Sequence, residues 1–278
     1  MNSNELNNGF RPRSLQLRDG QPCNVLEGGS GAPIVFVHGL PGLGSDLLSL
    51  AETLADSYRC FLLDRPGYGA SAPTLPARCT SIEQGARDLE DVLETLGLTQ
   101  ACVVGWSYGG HLAAALAKRS NRVDRLVFMA SAGPQFCWPV DVKDRLLYGT
   151  PFGPSLVKLL KRLTPRFLKR QLEDAMGCAA PAGIYQAFLK GLDRPGAIET
   201  WFNEAKQWHP TSMDAGGIEQ PSLVIHGDLD TRIPIAIARN LNEQLRNSHL
   251  VVVPGAGHWP FLSHTSEVSG EMRQFLAP

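Results

Sequence analysis

The sequence predicts an α/β domain with a mostly parallel central sheet, helices on both of its faces and a helical insertion. Three observations carry that expectation. Short apolar runs such as PIVFVHG, ACVVGW and PSLVIHGD read as strands covered on both faces. Helical patterns alternate with them, the order that lays strands side by side in parallel. Between about Pro134 and Asp214 the alternation stops, and helical fragments broken by Pro139, Pro151, Pro154, Pro165, Pro181 and Pro195 take its place. A chain of 278 residues suits one such domain with an insertion, or two small domains. Resumption of the strand–helix pattern after the insertion favours one core, 1–133 with 215–278, interrupted by a cap, 134–214.

The elements follow in order. MNSNELNNGFRPRS lacks the apolar stretch of a secretory signal and reads as a short flexible leader. SLQLRDG and CNVLEGG are strands joined at Asp19-Gly20, a strong hairpin signal. PIVFVHG and RCFLLDRPG are the next two strands. In SIEQGARDLEDVLETLG, Ile82, Ala86, Leu89, Val92, Leu93 and Leu96 share one helix face, with Ser81 as N-cap and Gly97 as stop. ACVVGW, an alanine-rich helix from Ser107 onward and the strand RLVFMASAG complete the first half. Inside the insertion, Thr164-Pro165 reads as a helix start with threonine as the cap. The chain closes with PSLVIHGD, the helix PIAIARNLNEQL, the strand HLVVVPGAGH and the helix SEVSGEMRQFL.

Composition narrows the function. The net charge of −1 gives no global sign of a nucleic-acid partner. No run approaches the ~20 apolar residues of a membrane span. The six cysteines, at 23, 60, 79, 102, 137 and 178, have no metal-type spacing and read as reduced thiols of a cytoplasmic protein.

Ligands of parallel sheets bind at the carboxyl ends of the strands, and the reactive side chains of this sequence collect there. In GWSYGG, a buried strand turns into a helix at Ser107, with glycines on either side where the turn crowds the backbone. A lone glycine-flanked serine is also what a simple turn looks like. Here a base and an acid accompany it: His258 follows the last strand in GAGHWP, and Asp230 follows the strand before it in GDLDTRIP. A serine hydroxyl is a poor nucleophile alone, and these partners supply a proton acceptor and a group to orient it. Asp64, His38, His111 and His226 read as structural residues.

Together, VHGLPG, DRPGYGAS, GWSYGG, HGDLDTRIP and GAGHWPFL make the chain resemble serine hydrolases of the α/β-hydrolase fold with a helical cap after the sixth strand. The resemblance implies a Ser107–His258–Asp230 triad, an oxyanion hole from the N–H groups of Leu40 and Tyr108, and no metal or cofactor. It implies hydrolysis of carboxylic esters, and an insertion long enough to roof the strand ends implies short to medium acyl chains. Relatives with haloalkane dehalogenase or epoxide hydrolase chemistry carry an aspartate where Ser107 stands. GWSYGG with HWPFLSH also resembles biotin-pathway carboxylesterases acting on a carrier-bound pimeloyl methyl ester, although the HGLPG turn departs from theirs. Pro41-Gly42 and the cap position also fit C–C bond hydrolases of aromatic ring-cleavage products. Non-catalytic receptors share the fold, but a complete triad argues against that role.

Specificity should come from the cap, with Trp106, Phe136, Cys137, Trp138, Trp259 and also Tyr108 and Phe152 as pocket candidates; core packing is the competing reading for each. Lys158, Lys161, Arg162, Arg166, Lys169 and Arg170 form a basic amphipathic stretch. It reads as a solvated helix face, as a dock for an acidic carrier protein, or as a membrane-surface contact, with no stable membrane association expected.

Overall fold

The structure, a computed structural model, describes residues 9–71, 73–74, 80–134, 136, 147–176, 179–208 and 213–277. The leader, Cys137 and Trp138 fall outside them, apart from the last residues of the leader. β1 (Arg11–Gln16) and β2 (Pro22–Gly29) form the expected hairpin, with Gly20 at φ +82° in the turn. β3 (Ala32–Val37), β4 (Tyr58–Asp64), β5 (Ala101–Trp106), β6 (Val123–Met129), β7 (Ser222–Gly227) and β8 (Ser248–Val253) complete an eight-stranded sheet among the described residues. The order is β1-β2-β4-β3-β5-β6-β7-β8; β2 pairs antiparallel with β4, and every pair from β4 to β8 is parallel.

β3 lies between β4 and β5, so the chain leaves it toward one side and later returns on the other. Such a reversal opens a crevice at the carboxyl ends of β3 and β5. The alternation of side chains along each strand feeds two cores. Val35, Val37, Val103 and Phe128 face α2 (Ile82–Thr95), α3 (Tyr108–Arg119) and α8 (Ile235–Gln244). Ile34, Phe36, Val104 and Met129 face α1 (Leu48–Leu54), the short α9 (Pro260–Ser263) and α10 (Thr265–Leu276). α2 starts at Ser81, whose Oγ accepts from Gln84 N–H at 3.2 Å, and its end is followed by Gly97 at φ +71°. α1 was not expected from the sequence, yet Leu47, Leu50, Ala51 and Leu54 stand at helical spacing and are all fully buried.

Between Met129 and Ser222 the described residues form α4 (Gly153–Leu163), α5 (Pro165–Met176), α6 (Ala182–Leu192) and α7 (Ala197–Gln207), without a strand among them. α5 does begin at Pro165, but the Thr164 hydroxyl donates back to Leu160 O at 3.1 Å. Threonine therefore closes the preceding helix, a role open to it because its side chain reaches the carbonyl one turn back. A third apolar cluster, with Tyr148, Val157, Trp201 and Phe202, ties these helices together, and Leu40 and Leu43 from the loop after β3 pack on it.

Candidate active site

Ser107 sits at φ 55°, ψ −119° between β5 and α3, a conformation L-residues rarely adopt. Packing enforces it. A Cβ on Gly109 would lie 2.2 Å from Val37 O, and one on Gly105 would lie 2.5 Å from Gly109 O. Only glycine at both positions lets α3 start this close to β3 and β5. The Ser107 N–H donates to Met129 O at 3.0 Å, which fixes the turn from the β6 side. Strain of this kind costs ~1–3 kcal/mol and persists only where the surroundings over-determine it.

The serine is 6% exposed, and its Oγ lies 3.0 Å from His258 Nε2. His258 Nδ1 lies 2.8 Å from Asp230 Oδ2. A carboxylate accepts only, so Nδ1 carries the proton and Nε2 is left to accept from the serine hydroxyl. The other carboxylate oxygen accepts from the N–H groups of Arg232 and Ile233 at 2.8 and 2.9 Å. Burial pushes the Asp230 pKa up, but the neighbouring His258 and its hydrogen bond, with His226 and the Ile233 N–H, hold it below the ordinary carboxylate value. Asp228, in the same loop, instead accepts from Gly255 N–H at 2.7 Å at the surface.

The loop after β3 arches over this group. A Cβ on Gly39 would lie 2.9 Å from Ser107 Cβ and 3.4 Å from its Oγ, so the Gly39–Leu40 peptide passes close to the hydroxyl. Tyr108 opens α3 directly beyond the serine, in the turn where the helix dipole is positive. His38 is buried: its Nε2 accepts from Arg65 N–H at 3.1 Å, and its Nδ1 lies 2.9 Å from Gly39 O. Burial and the Arg65 charge hold it well below the ordinary histidine pKa, so it is a neutral brace of the loop. Asp64 accepts from Gly44 N–H and Ala70 N–H, both at 2.9 Å, and is structural.

The expected pocket residues separate. Trp106 is 2% exposed; its Nε1 donates to His258 O at 3.0 Å and its ring meets Trp259 edge-on at 4.5 Å. Trp259 in turn stacks on Phe261, so these contacts make both tryptophans supports of the histidine loop. Tyr108 and Phe136 pack on Trp208, at 5.0 and 5.3 Å between ring centroids. Phe152 is corrected outright: it is 74% exposed, in line with the exposed Leu156, Leu159 and Leu163 on the outer stripe of α4. Its place at the N-cap, one turn before Leu156 on a face that points away from the core, sets that exposure. Of the basic stretch, Lys158 pairs with Glu199, Lys161 with Asp193 and Lys169 with Glu173, while Arg162, Arg166 and Arg170 are exposed.

Several residues were not legible as part of the site. Trp208 donates its Nε1–H to His111 Nδ1 at 2.6 Å, joining the segment after α7 to α3. Its signal was the apolar series Trp201, Ala205, Trp208 at helical spacing. Glu204 and His226 gave no local signal, since their partners Arg65 and Asp230 meet them only in the fold. Among the described residues no group of three His, Cys, Asp or Glu side chains is arranged to hold a metal ion. Cys23, Cys60 and Cys102 are buried free thiols, and burial pushes the Cys60 pKa up to about 12.

An eight-stranded, mostly parallel sheet with a serine at its sharpest strand–helix turn defines a class of hydrolases, and the chain belongs to the alpha/beta hydrolase fold family, whose profile matches residues 32–265. Among its relatives, a pimeloyl-[acyl-carrier protein] methyl ester esterase of Pectobacterium atrosepticum is 28% identical over 260 residues, covering 90% of this chain and 96% of that protein. A 2-hydroxy-6-oxononadienedioate/2-hydroxy-6-oxononatrienedioate hydrolase of Paraburkholderia phymatum is 30% identical over 285 residues, covering 91% and 94%. Among solved structures, an esterase from Exiguobacterium antarcticum superimposes with a TM-score of 0.77 at 24% identity, covering 95% of this chain and 99% of that one. At that identity the likeness shows the fold.

Proposed function

We propose that the protein is a serine hydrolase of carboxylic esters with short to medium acyl chains, acting without metal or cofactor. The observation that carries this reading is the unbroken hydrogen-bonded series from Ser107 Oγ through His258 to Asp230 Oδ2 at a positive-φ elbow. Ser107 attacks the ester carbonyl while His258 Nε2 takes its proton. Charge on the carbonyl oxygen develops toward the N–H groups of Leu40 and Tyr108, each such donor contributing ~3–4 kcal/mol to the barrier reduction. His258 then protonates the leaving alkoxide, and the acyl-enzyme is opened by a water that gives its proton to the same nitrogen. Asp230, anchored by two backbone N–H groups, keeps His258 in the productive tautomer and stabilises the imidazolium.

The segment 134–214 acts in this reading as a cap that encloses the acyl group and sets chain-length preference. No helix among the described residues is long and apolar enough to cross a membrane, in keeping with a cytoplasmic enzyme acting on a small-molecule ester. A second reading, an esterase for acyl methyl esters on an acidic carrier protein, draws support from the carrier-protein esterases among the relatives and from exposed Arg162, Arg166 and Arg170. A third, a C–C bond hydrolase, draws on the dienedioate hydrolases.

A p-nitrophenyl ester series from about two to about sixteen carbons tests the main reading. Rates should rise over the first carbons, at about 0.8 kcal/mol of burial per methylene, and then fall. A monotonic rise with a jump at the micelle threshold points to a lipase instead. No ester turnover with cleavage of a vinylogous 1,5-diketone selects the C–C hydrolase.

A further inference from the structure

The oxyanion peptide is held from the cap. Gly39 C=O and Leu40 N–H belong to one planar peptide and point in opposite directions. Two donors converge on that carbonyl. Arg65 Nη2–H reaches Gly39 O at 2.9 Å, and His38 Nδ1 lies 2.9 Å from the same oxygen. His38 Nε2 is an acceptor, because it takes the Arg65 N–H, so Nδ1 carries the proton and is a donor. The guanidinium in turn is held from above. Arg65 Nη1 donates to Glu204 Oε1 at 2.7 Å, and the Tyr68 hydroxyl donates to Glu204 Oε2 at 2.6 Å. Glu204 lies on α7, in the insertion, 139 residues along the chain from Arg65. The guanidinium also lies over the rings of Tyr68 and Tyr108, at 4.7 and 5.0 Å. Arg65 and Glu204 are 3% and 6% exposed, so the pair is shielded from solvent and salt.

A buried ion pair is weak support for stability, because removing both charges from water offsets much of their attraction. Its worth here lies in direction. A planar guanidinium gripped by a carboxylate at one nitrogen and by a carbonyl at another has little freedom to rotate. We propose that Arg65, clamped by Glu204, is a positioning residue that aims the Leu40 N–H at the developing oxyanion, so that the cap helix is part of the catalytic alignment as well as the substrate enclosure. The two donors on Gly39 O also polarise the peptide, which strengthens its N–H as a donor. This inference rests on the serine hydrolase reading of Ser107.

The test is Glu204→Gln, which keeps the size of the side chain and removes its charge. It should lower kcat by about 10–100-fold and change KM for the same ester less than about twofold, the pattern of an interaction made chiefly in the transition state. Affinity for a trifluoromethyl ketone, which forms an oxyanion on Ser107 addition, should fall by about the same factor as kcat/KM. Tyr68→Phe should shift both quantities in the same direction by less. If Glu204→Gln does not fold, Arg65→Lys, which keeps the charge opposite Glu204 and loses the fork, is read in the same way. Thermal unfolding and end-point phosphonate labelling count the folded, reactive fraction. A normal kcat and ketone affinity in the variant that folds, with Ser107→Ala inactive, overturns the clamp and leaves the hydrolase reading standing. Equal losses of activity and labelled fraction overturn it too. Activity surviving in Ser107→Ala overturns the hydrolase reading itself.

Discussion

His226 Nε2 lies 3.4 Å from the same Asp230 oxygen that His258 holds at 2.8 Å, so two imidazoles share one carboxylate oxygen. His226 Nε2 also lies 2.7 Å from Ile233 O, an acceptor, which means that Nε2 carries the proton. The protonated nitrogen that serves Ile233 O thus also stands beside Asp230. The sequence reading of His226 as a packing residue leaves out this contact.

Asp230→Asn should cost about 10⁴-fold in kcat by stabilising the wrong His258 tautomer. Asp228→Asn removes only a surface charge, since the amide oxygen can still accept from Gly255 N–H, and should cost less than about tenfold. Steady-state kinetics on one ester ranks the two. Equal losses would mean that the catalytic carboxylate has been misassigned.

Ser107→Ala and Ser107→Gly should both lose on the order of 10⁶-fold in activity. They should differ in stability. Both lack the hydroxyl, but alanine keeps the Cβ strain at φ 55° and glycine does not. The glycine variant should be more stable by about 1 kcal/mol, strain relief less the greater entropy of unfolded glycine. Urea unfolding of the two proteins measures the difference, and an alanine variant at least as stable would show that the elbow is unstrained.

Two glycine substitutions should have opposite signs. Gly109→Ala forces a Cβ to within 2.2 Å of Val37 O and should destabilise by about 3 kcal/mol or prevent accumulation. Gly270 lies inside α10 with nothing within 4 Å of an added Cβ. Gly270→Ala should stabilise by about 0.5–1 kcal/mol. Melting temperatures of both variants check the contrast.

Stability should fall in mild acid, with a partial offset from Asp46, whose pKa burial pushes up to about 7. Burial holds the His111 pKa down at about 3 and keeps His38 and His226 below the ordinary value. A histidine whose folded pKa is depressed binds protons mainly when unfolded, so stability is retained above the unfolded pKa near 6.5 and lost as pH falls toward the folded one. Each such group should contribute a slope of about 1.4 kcal/mol per pH unit in that window. His111→Gln, which keeps an acceptor for the Trp208 N–H, should flatten the slope by about that amount between about pH 6 and 4. Parallel pH profiles of unfolding free energy for the two proteins would place the proton uptake elsewhere.

The strands were legible because burial on both faces writes itself as continuous apolar runs, as in PIVFVHG and ACVVGW. Ser107, Asp230 and His258 were legible as strand-end residues because a parallel sheet gathers its loops at one edge, and the structure brings all three within hydrogen-bonding distance. Contacts between distant segments left no such trace. Nothing near Glu204 marks it as the partner of Arg65, since ion pairing has no periodicity to read. α1 was overlooked because Gly42, Gly44 and Pro41 mask the start of its apolar spacing. Phe152 was misplaced because an aromatic residue at the edge of an insertion reads alike whether it turns inward or outward.

The parallel pairing of Leu126 to Met129 with Ser222 to Ile225 has a consequence for synthesis. When β6 leaves the ribosome, its buried edge has no neighbour until the whole insertion has been translated, a wait of roughly 5–20 s at ~5–20 residues per second. During that interval a strand of Leu126, Val127, Phe128 and Met129 is an adhesive margin for other nascent chains. In the reading of 134–214 as a cap, the insertion acts as a timer as well as a roof, and shortening it should raise the yield of soluble protein from rapid expression even where it removes activity. Asp230 and His258 follow Ser107 by more than a hundred residues, so in the serine hydrolase reading Ser107 has no base until both have been made.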